Sequence, residues 1–376
     1  MQALQQEPQT VASEIQEAPP IPVSRERIYS LDVFRGFTMV CMIAEGFGLL
    51  YFLNRPVIGP IAQQFRHRDW QGMNAWDLVQ PFFMFIVGAV MPIAFQRRWE
   101  AGETWRASLL HVLRRSALLI LCGLVARSIQ ANKPVLDLIN VLAQIAFTYL
   151  VAFLVLRRSW KVQALTAFGL LVAHWALYQF AQAPGVIGPW VKDGNLGWYL
   201  DRLVLHKNWN GSYATINCLS SAANTIFGVM AGYLIISPLP VKRKAQILAA
   251  AGVGGILIGL ALNPVIPIIK KIWTPSFAIY SAGFTLLALL FFYWVCDVKK
   301  SRGWAKVFLV VGSNSIFIYL FHEILHRWLN QTALVFTGWT INLWGPLGQA
   351  LTAWVVILFE VYVCYWLYRR KIFFKL

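Results

Sequence analysis

Ten apolar stretches, separated by shorter polar connections, run along the 376-residue chain. They are Val33 to Leu53, Trp76 to Phe95, Leu109 to Ile129, Val135 to Leu156 and Val162 to Ala181. The second five are Ala214 to Ile236, Gln246 to Leu262, Pro275 to Cys296, Val307 to Phe321 and Leu347 to Tyr368. The stretches near Leu109 and Val307 are the least regular. A helix crossing a bilayer needs about 20 apolar residues, so ten such helices use about 200 and leave short loops. The pattern predicts an all-α polytopic membrane protein of about ten transmembrane helices, one domain over residues 29–376. The two longest external stretches, Asn54 to Ala75 and Gln182 to Tyr213, are rich in Gly, Pro, Trp and Asn. They read as loops folding over a site near the outer face.

Composition agrees. Hydrophobic residues make up 58% of the chain and charged residues 13%, against about 25% charged in an average soluble domain. A water-soluble enzyme is excluded. The 17 Trp, 13 Tyr and 25 Phe suit a chain whose rings settle at membrane interfaces. A net charge of +17 would point to nucleic acid in a soluble protein, but its distribution gives another cause. Threading the stretches with the N-terminus inside puts 22 of the 33 Lys and Arg on the cytoplasmic side and 11 opposite. Every short cytoplasmic loop is then basic, which orients both termini to the cytoplasm. No nucleic-acid partner is expected; the partner is the lipid bilayer.

The N-terminal residues 1–28 are expected to form a disordered cytoplasmic tail, since Glu7, Glu14, Glu17 and four prolines replace the basic and apolar regions of a secretory signal. Cys41, Cys122, Cys218, Cys296 and Cys364 stand singly in apolar stretches, which favours packing over disulfides or thiolate metal sites. No internal repeat of the kind that builds many transporters is visible.

Ionisable groups at membrane depth are costly, which makes each a functional candidate. The acids are Asp32, Glu45, Asp77, Asp137, Glu323 and Glu360, and the bases Arg35, Arg114 and Arg115. His67, His174, His206, His322 and His326 lie near segment ends. His322-Glu323-Ile324-Leu325-His326 has the HExxH spacing that puts two imidazoles on one helix face for zinc. A third ligand is needed, and after His326 only Glu360 is acidic, so no metal is expected. A second constellation joins Arg66-His67-Arg68-Asp69-Trp70 to Asp77 on the stretch WDLVQPFFMFIVG, whose Pro81 could kink the helix. A histidine can take and return a proton when a carboxylate fixes its ring. Asp77 or Glu45 could supply that carboxylate; a surface-loop histidine at an aromatic interface is the plainer alternative.

Several stretches resemble one family in order. SLDVFRG (Ser30 to Gly36), the His67 loop running into WDLVQPFFMFIVG, and GSNSIFIYLFHE (Gly312 to Glu323) resemble the transmembrane glucosamine N-acetyltransferases, bacterial and lysosomal. RRSALLI (Arg114 to Ile120) and the stretch Ser212 to Gly232 add to the likeness, which covers Tyr29 to the C-terminus. The resemblance implies transfer of acetyl from cytoplasmic acetyl-CoA to the amine of glucosamine or a glucosamine-containing glycan, in a bacterial inner membrane. It makes His67 the catalytic histidine and matches Asn314, Ser315, His322 and Glu323 to a polar cluster on a late helix. His326 falls outside the family pattern. Glu45 stands where many relatives carry Asn, with a longer loop following. The large lumenal domain of the lysosomal enzyme is not seen, so polymer capture by such a domain is not expected.

The implied chemistry is aminolysis of a thioester, with His67 as general base or transient acetyl carrier. Asp77 would hold its tautomer, Asn314 and Ser315 would serve a developing oxyanion, and Arg35, Arg114 and Arg115 would receive CoA phosphates. For those arginines ordinary positive-inside anchoring is an equal reading. A homodimer is left open. A sugar transporter and an intramembrane HExxH zinc protease are the alternatives from other classes.

Overall fold

The computed structural model describes residues 27–136, 138–205 and 213–374. The expected tail up to residue 26, Asp137 and His206 lie outside the described residues. Among the described residues no strand is present; only isolated bridges join Gln71 and Gly72 to Ile269.

The helices in chain order are α1 (Tyr29–Ile43), α2 (Gly59–Gln64), α3 (Val79–Glu100), α4 (Trp105–Ala131), α5 (Val141–Val155), α6 (Trp160–Phe180) and α7 (Leu196–Leu205). They continue with α8 (Asn217–Ile236), α9 (Val241–Leu262), α10 (Pro275–Phe292), α11 (Lys306–Ser313), α12 (Ser315–Trp344) and α13 (Pro346–Arg369). Local chemistry sets several ends. Thr104 and Asn140 cap α4 and α5 by accepting the amides of Ala107 and Ala143. Asn132 closes α4 in the left-handed region at φ 51°.

Six helical spans are long and apolar enough to cross a membrane, and eight if two bent pairs each count as one. The bent pairs are α1 with Glu45–Phe52, at 45°, and α11 with α12, at 78°. This is an integral membrane protein, all helical among its described residues. Each of the ten apolar stretches contains helix, yet two fall short as spans. Asn140 caps α5, which leaves it 15 residues, and Gln163, His174 and Gln179 dilute the hydropathy of α6.

The late stretch Val307 to Phe321 departs furthest from expectation. It breaks at Asn314, and α12 then runs on for 30 residues instead of ending in an external loop. The polar residues beyond Phe321 lower the apolar signal, but neighbouring helices supply partners for them, so helix formation continues.

The interior is organised around α3 and α8. Gly88 and Gly228 let these helices approach so closely that a Cβ at either would overlap the other helix's backbone at Thr225 or Phe85. A buried polar relay ties α3 to its neighbours: Gln80 donates to Gln144 on α5 at 2.6 Å, and Gln144 donates to Ser221 on α8 at 2.9 Å. Such paired amides are tolerated in an apolar interior because each donor finds an acceptor. Pro81 lies in the first turn of α3, where its missing N–H costs no hydrogen bond, so it does not kink the helix.

The two long stretches Asn54 to Ala75 and Gln182 to Tyr213 meet the loop between α9 and α10 on one face. Trp70 donates its indole N–H to Trp190 O at 2.8 Å, Gly72 N–H donates to Ile268 O at 2.7 Å, and Ala214 N–H to Lys271 O at 3.3 Å.

Candidate functional site

On this face the chain holds His67 between two anchored loops. Asn74 donates its side-chain amide to Gln63 O at 3.0 Å and Arg66 O at 2.8 Å, pinning the turn that leads into His67. Three residues on, Asp77 starts the approach to α3. Its Oδ2 accepts the amides of Asn74 at 2.9 Å and Arg68 at 3.2 Å, which fixes the carboxylate from both sides of the loop. Its Oδ1 then lies 2.9 Å from His67 Nδ1.

Lys270 completes the group from the loop between α9 and α10. That loop is rigid by its own bonds: Asn263 accepts Ile268 N–H at 2.9 Å, and Thr274 accepts Ile269 N–H at 3.0 Å. Trp273 beside it is fully buried and donates to Asn224 at 3.0 Å. Lys270 Nζ is thereby placed 3.4 Å from Asp77 Oδ1 and 3.1 Å from His67 Nδ1.

The side chains of Asp77 and Lys270 are 0% and 4% exposed, whereas that of His67 is 51% exposed. A buried ion pair therefore backs an accessible ring. With the Nδ1 proton donated to the ionised Asp77 carboxylate, Lys270 pairs with that carboxylate rather than with the ring, and the Nε2 lone pair is free. Burial lowers the pKa of His67 from its ordinary value; the bond to Asp77 opposes this, and the Lys270 charge adds to the lowering. The ring is oriented and half open, and its lowered pKa favours the neutral form that a general base requires.

A second cluster lies where α1 ends. Glu45, Gly46, Phe47 and Gly48 all have positive φ, at 39°, 80°, 54° and 71°. Two of these are not glycine, a strained arrangement of the kind concentrated at functional sites. It turns Glu45 toward α12. Glu45 Oε2 lies 3.0 Å from His326 Nε2, and Oε1 lies 3.6 Å from His322 Nε2. His322 Nδ1 is 3.0 Å from Glu360 Oε1 on α13, and Glu360 is fully buried. An aromatic group links this cluster to the first. Phe47 packs edge-on against Phe65 and Trp76, which stand beside His67 and Asp77 in sequence.

The remaining expected residues are placed elsewhere. Asn314 joins the C-terminal segment: it donates to Ile372 O at 3.0 Å and accepts Phe374 N–H at 2.9 Å. Ser315 donates to Gly312 O at 2.8 Å. Glu323 points away from its neighbours in the HExxH run and accepts from Gln130 on α4 at 2.6 Å. Arg35 bonds Asp32 at 3.0 Å and Gly312 O at 3.1 Å. Arg115 lies over the Tyr149 ring at 4.9 Å, and Arg114 is exposed. Asn314 and Ser315 are thus engaged with the C-terminal segment and the end of α11.

Lys270 was not among the sequence candidates. Its signal was the pair Lys270-Lys271 on the outer side of a threading that otherwise gathers short basic runs inside.

Fold and site together define a membrane protein, helical among its described residues, with a loop histidine backed by a buried carboxylate. A family profile described as "Domain of unknown function (DUF5009)" matches residues 27–184. The heparan-alpha-glucosaminide N-acetyltransferase of Mus musculus is 25% identical over 94% of this chain and 61% of its own length. The Homo sapiens protein of the same name is 25% identical over 93% of this chain and 60% of its own length. The chain is similar to these N-acetyltransferases and spans about three fifths of the length of the curated relatives it matches.

Proposed function

We propose that the protein transfers acetyl from acetyl-CoA to the amine of glucosamine or a glucosamine-containing glycan, with His67 as the base. The observation that carries this reading is the 2.9 Å contact between His67 Nδ1 and the buried Asp77 carboxylate, together with the acetyltransferase homologues.

The amine must lose a proton as its nitrogen attacks the thioester carbonyl. Nε2 of His67 takes that proton, and Asp77 stabilises the imidazolium that forms. The acetyl carbon–sulfur bond then breaks, and the CoA thiolate takes a proton, returned by the imidazolium. Lys270 keeps Asp77 ionised and the resting ring neutral. Arg35, Arg114 and Arg115 receive the CoA phosphates as charge-assisted donors. With both termini cytoplasmic, CoA enters at the basic face and His67 lies at the opposite one. The acceptor is then acetylated at the periplasmic face of a bacterial inner membrane.

Incubating the detergent-solubilised protein with acetyl-labelled CoA and glucosamine tests the reading. Labelled N-acetylglucosamine is the expected product. Release of free acetate alone, or no label transfer, overturns it.

A further inference from the structure

His322 to His326 carries an arrangement that acetyl transfer by His67 does not use. One donor atom from each of Glu45, His322 and His326 lies within 4.8 Å of the others. A tetrahedral ion bound at about 2.0–2.2 Å sets its ligand atoms about 3.4 Å apart. The separations from Glu45, 3.0 Å to His326 and 3.6 Å to His322, bracket that spacing.

The hydrogen-bond account of the cluster requires a positive charge at its centre. His322 Nδ1 faces Glu360 Oε1 at 3.0 Å and donates to it, so in the neutral ring Nε2 presents a lone pair to Glu45. Asn330 Nδ2 lies 2.7 Å from His326 Nε2 and donates to it, so this nitrogen also presents a lone pair beside the carboxylate. His326 Nδ1 is buried without a hydrogen-bond partner. With both rings neutral, acceptors meet acceptors across the Glu45 contacts, a clash that protons on the rings or a cation between them would remove.

We propose that Glu45, His322 and His326 form a binding site for a divalent transition metal of the zinc class. Two imidazoles and one carboxylate are a known catalytic zinc set that leaves a fourth position open. Glu360 supplies the carboxylate–histidine contact that fixes a metal-bound imidazole. The third ligand comes from upstream, on the left-handed turn after α1. Glu45 is 58% exposed on its side chain, which gives the ion access, while His322 and His326 are 8% and 22% exposed. Asn330 would turn aside on binding.

This inference is independent of acetyl transfer, because its readout is metal. Full-length protein in detergent is stripped with EDTA and titrated with Zn²⁺ alone. About one zinc per chain is expected, and Co²⁺ in its place gives the visible absorption of a tetrahedral centre. His326→Ala abolishes that absorption and weakens zinc binding more than tenfold, and Glu360→Gln weakens it about 10–100-fold. If His326→Ala does not fold, Glu45→Gln gives the same reading from a half-exposed position. Absence of stoichiometric zinc in the wild type, or unchanged affinity in a folded ligand variant, overturns the proposal and assigns the central charge to protons.

Discussion

His67 and Asp77 meet through a 2.9 Å contact in which one partner is half exposed and the other has no exposure at all. The asymmetry matters chemically. The carboxylate is fixed by two backbone amides and a buried lysine, so it does not yield to the ring; the ring is aligned to it.

Replacing that carboxylate by an amide removes the tautomer control while keeping the shape. Asp77→Asn is predicted to lower the turnover number about 10²–10⁴-fold, with KM for glucosamine changed little. Steady-state kinetics on protein of unchanged elution profile checks this. A fall in affinity at constant turnover would make Asp77 a binding residue instead.

The pH dependence follows from the direction of the His67 shift. Burial and the Lys270 charge lower its pKa, so the neutral, basic form persists to lower pH than in a free imidazole. Activity is retained as pH falls through the usual value of about 6.5 and is lost only below it. Lys270→Met removes a lowering influence and is predicted to move the acid limb of kcat/KM upward. An unmoved limb, with the wild type already failing above the ordinary imidazole value, would disconnect His67 from the reaction.

Much of the fold was legible because apolar runs and basic loops obey simple physical rules. All ten stretches contain helix, and the candidates His67 and Asp77 do touch. What the sequence hid was hidden for identifiable reasons. The helical residues beyond Phe321 look like a loop in hydropathy, since the partners of His322, His326 and Glu323 come from Glu45, Glu360 and Gln130, far away in sequence. Glu45 faces α12 only because four successive residues are left-handed, which no apolar pattern reports. Asn314 had the residue type for an oxyanion donor, but the C-terminal backbone occupies its amide.

The α3–α8 contact gives a stability prediction. Gly228→Leu forces a side chain into the backbone of Phe85, and overpacking of this kind costs about 1–3 kcal/mol or more. The detergent-solubilised variant should melt at a lower temperature than the wild type. Gly254→Leu, at a glycine with open space around its Cβ, should leave the melting temperature nearly unchanged. Equal melting of the two variants would contradict the close packing.

The arginine assignment separates from the acceptor site. Arg115→Gln is predicted to raise KM for acetyl-CoA roughly tenfold, as expected for loss of a charge-assisted phosphate contact, with KM for glucosamine unchanged. A change confined to glucosamine would place the residue on the acceptor side.

The most direct measurement is single-turnover acetyl transfer by wild type and His67→Ala, both shown to be folded by elution and melting. The account predicts that labelled N-acetylglucosamine forms in the wild type and that its rate falls at least about 10²-fold in the variant. Equal rates in the two proteins would contradict it.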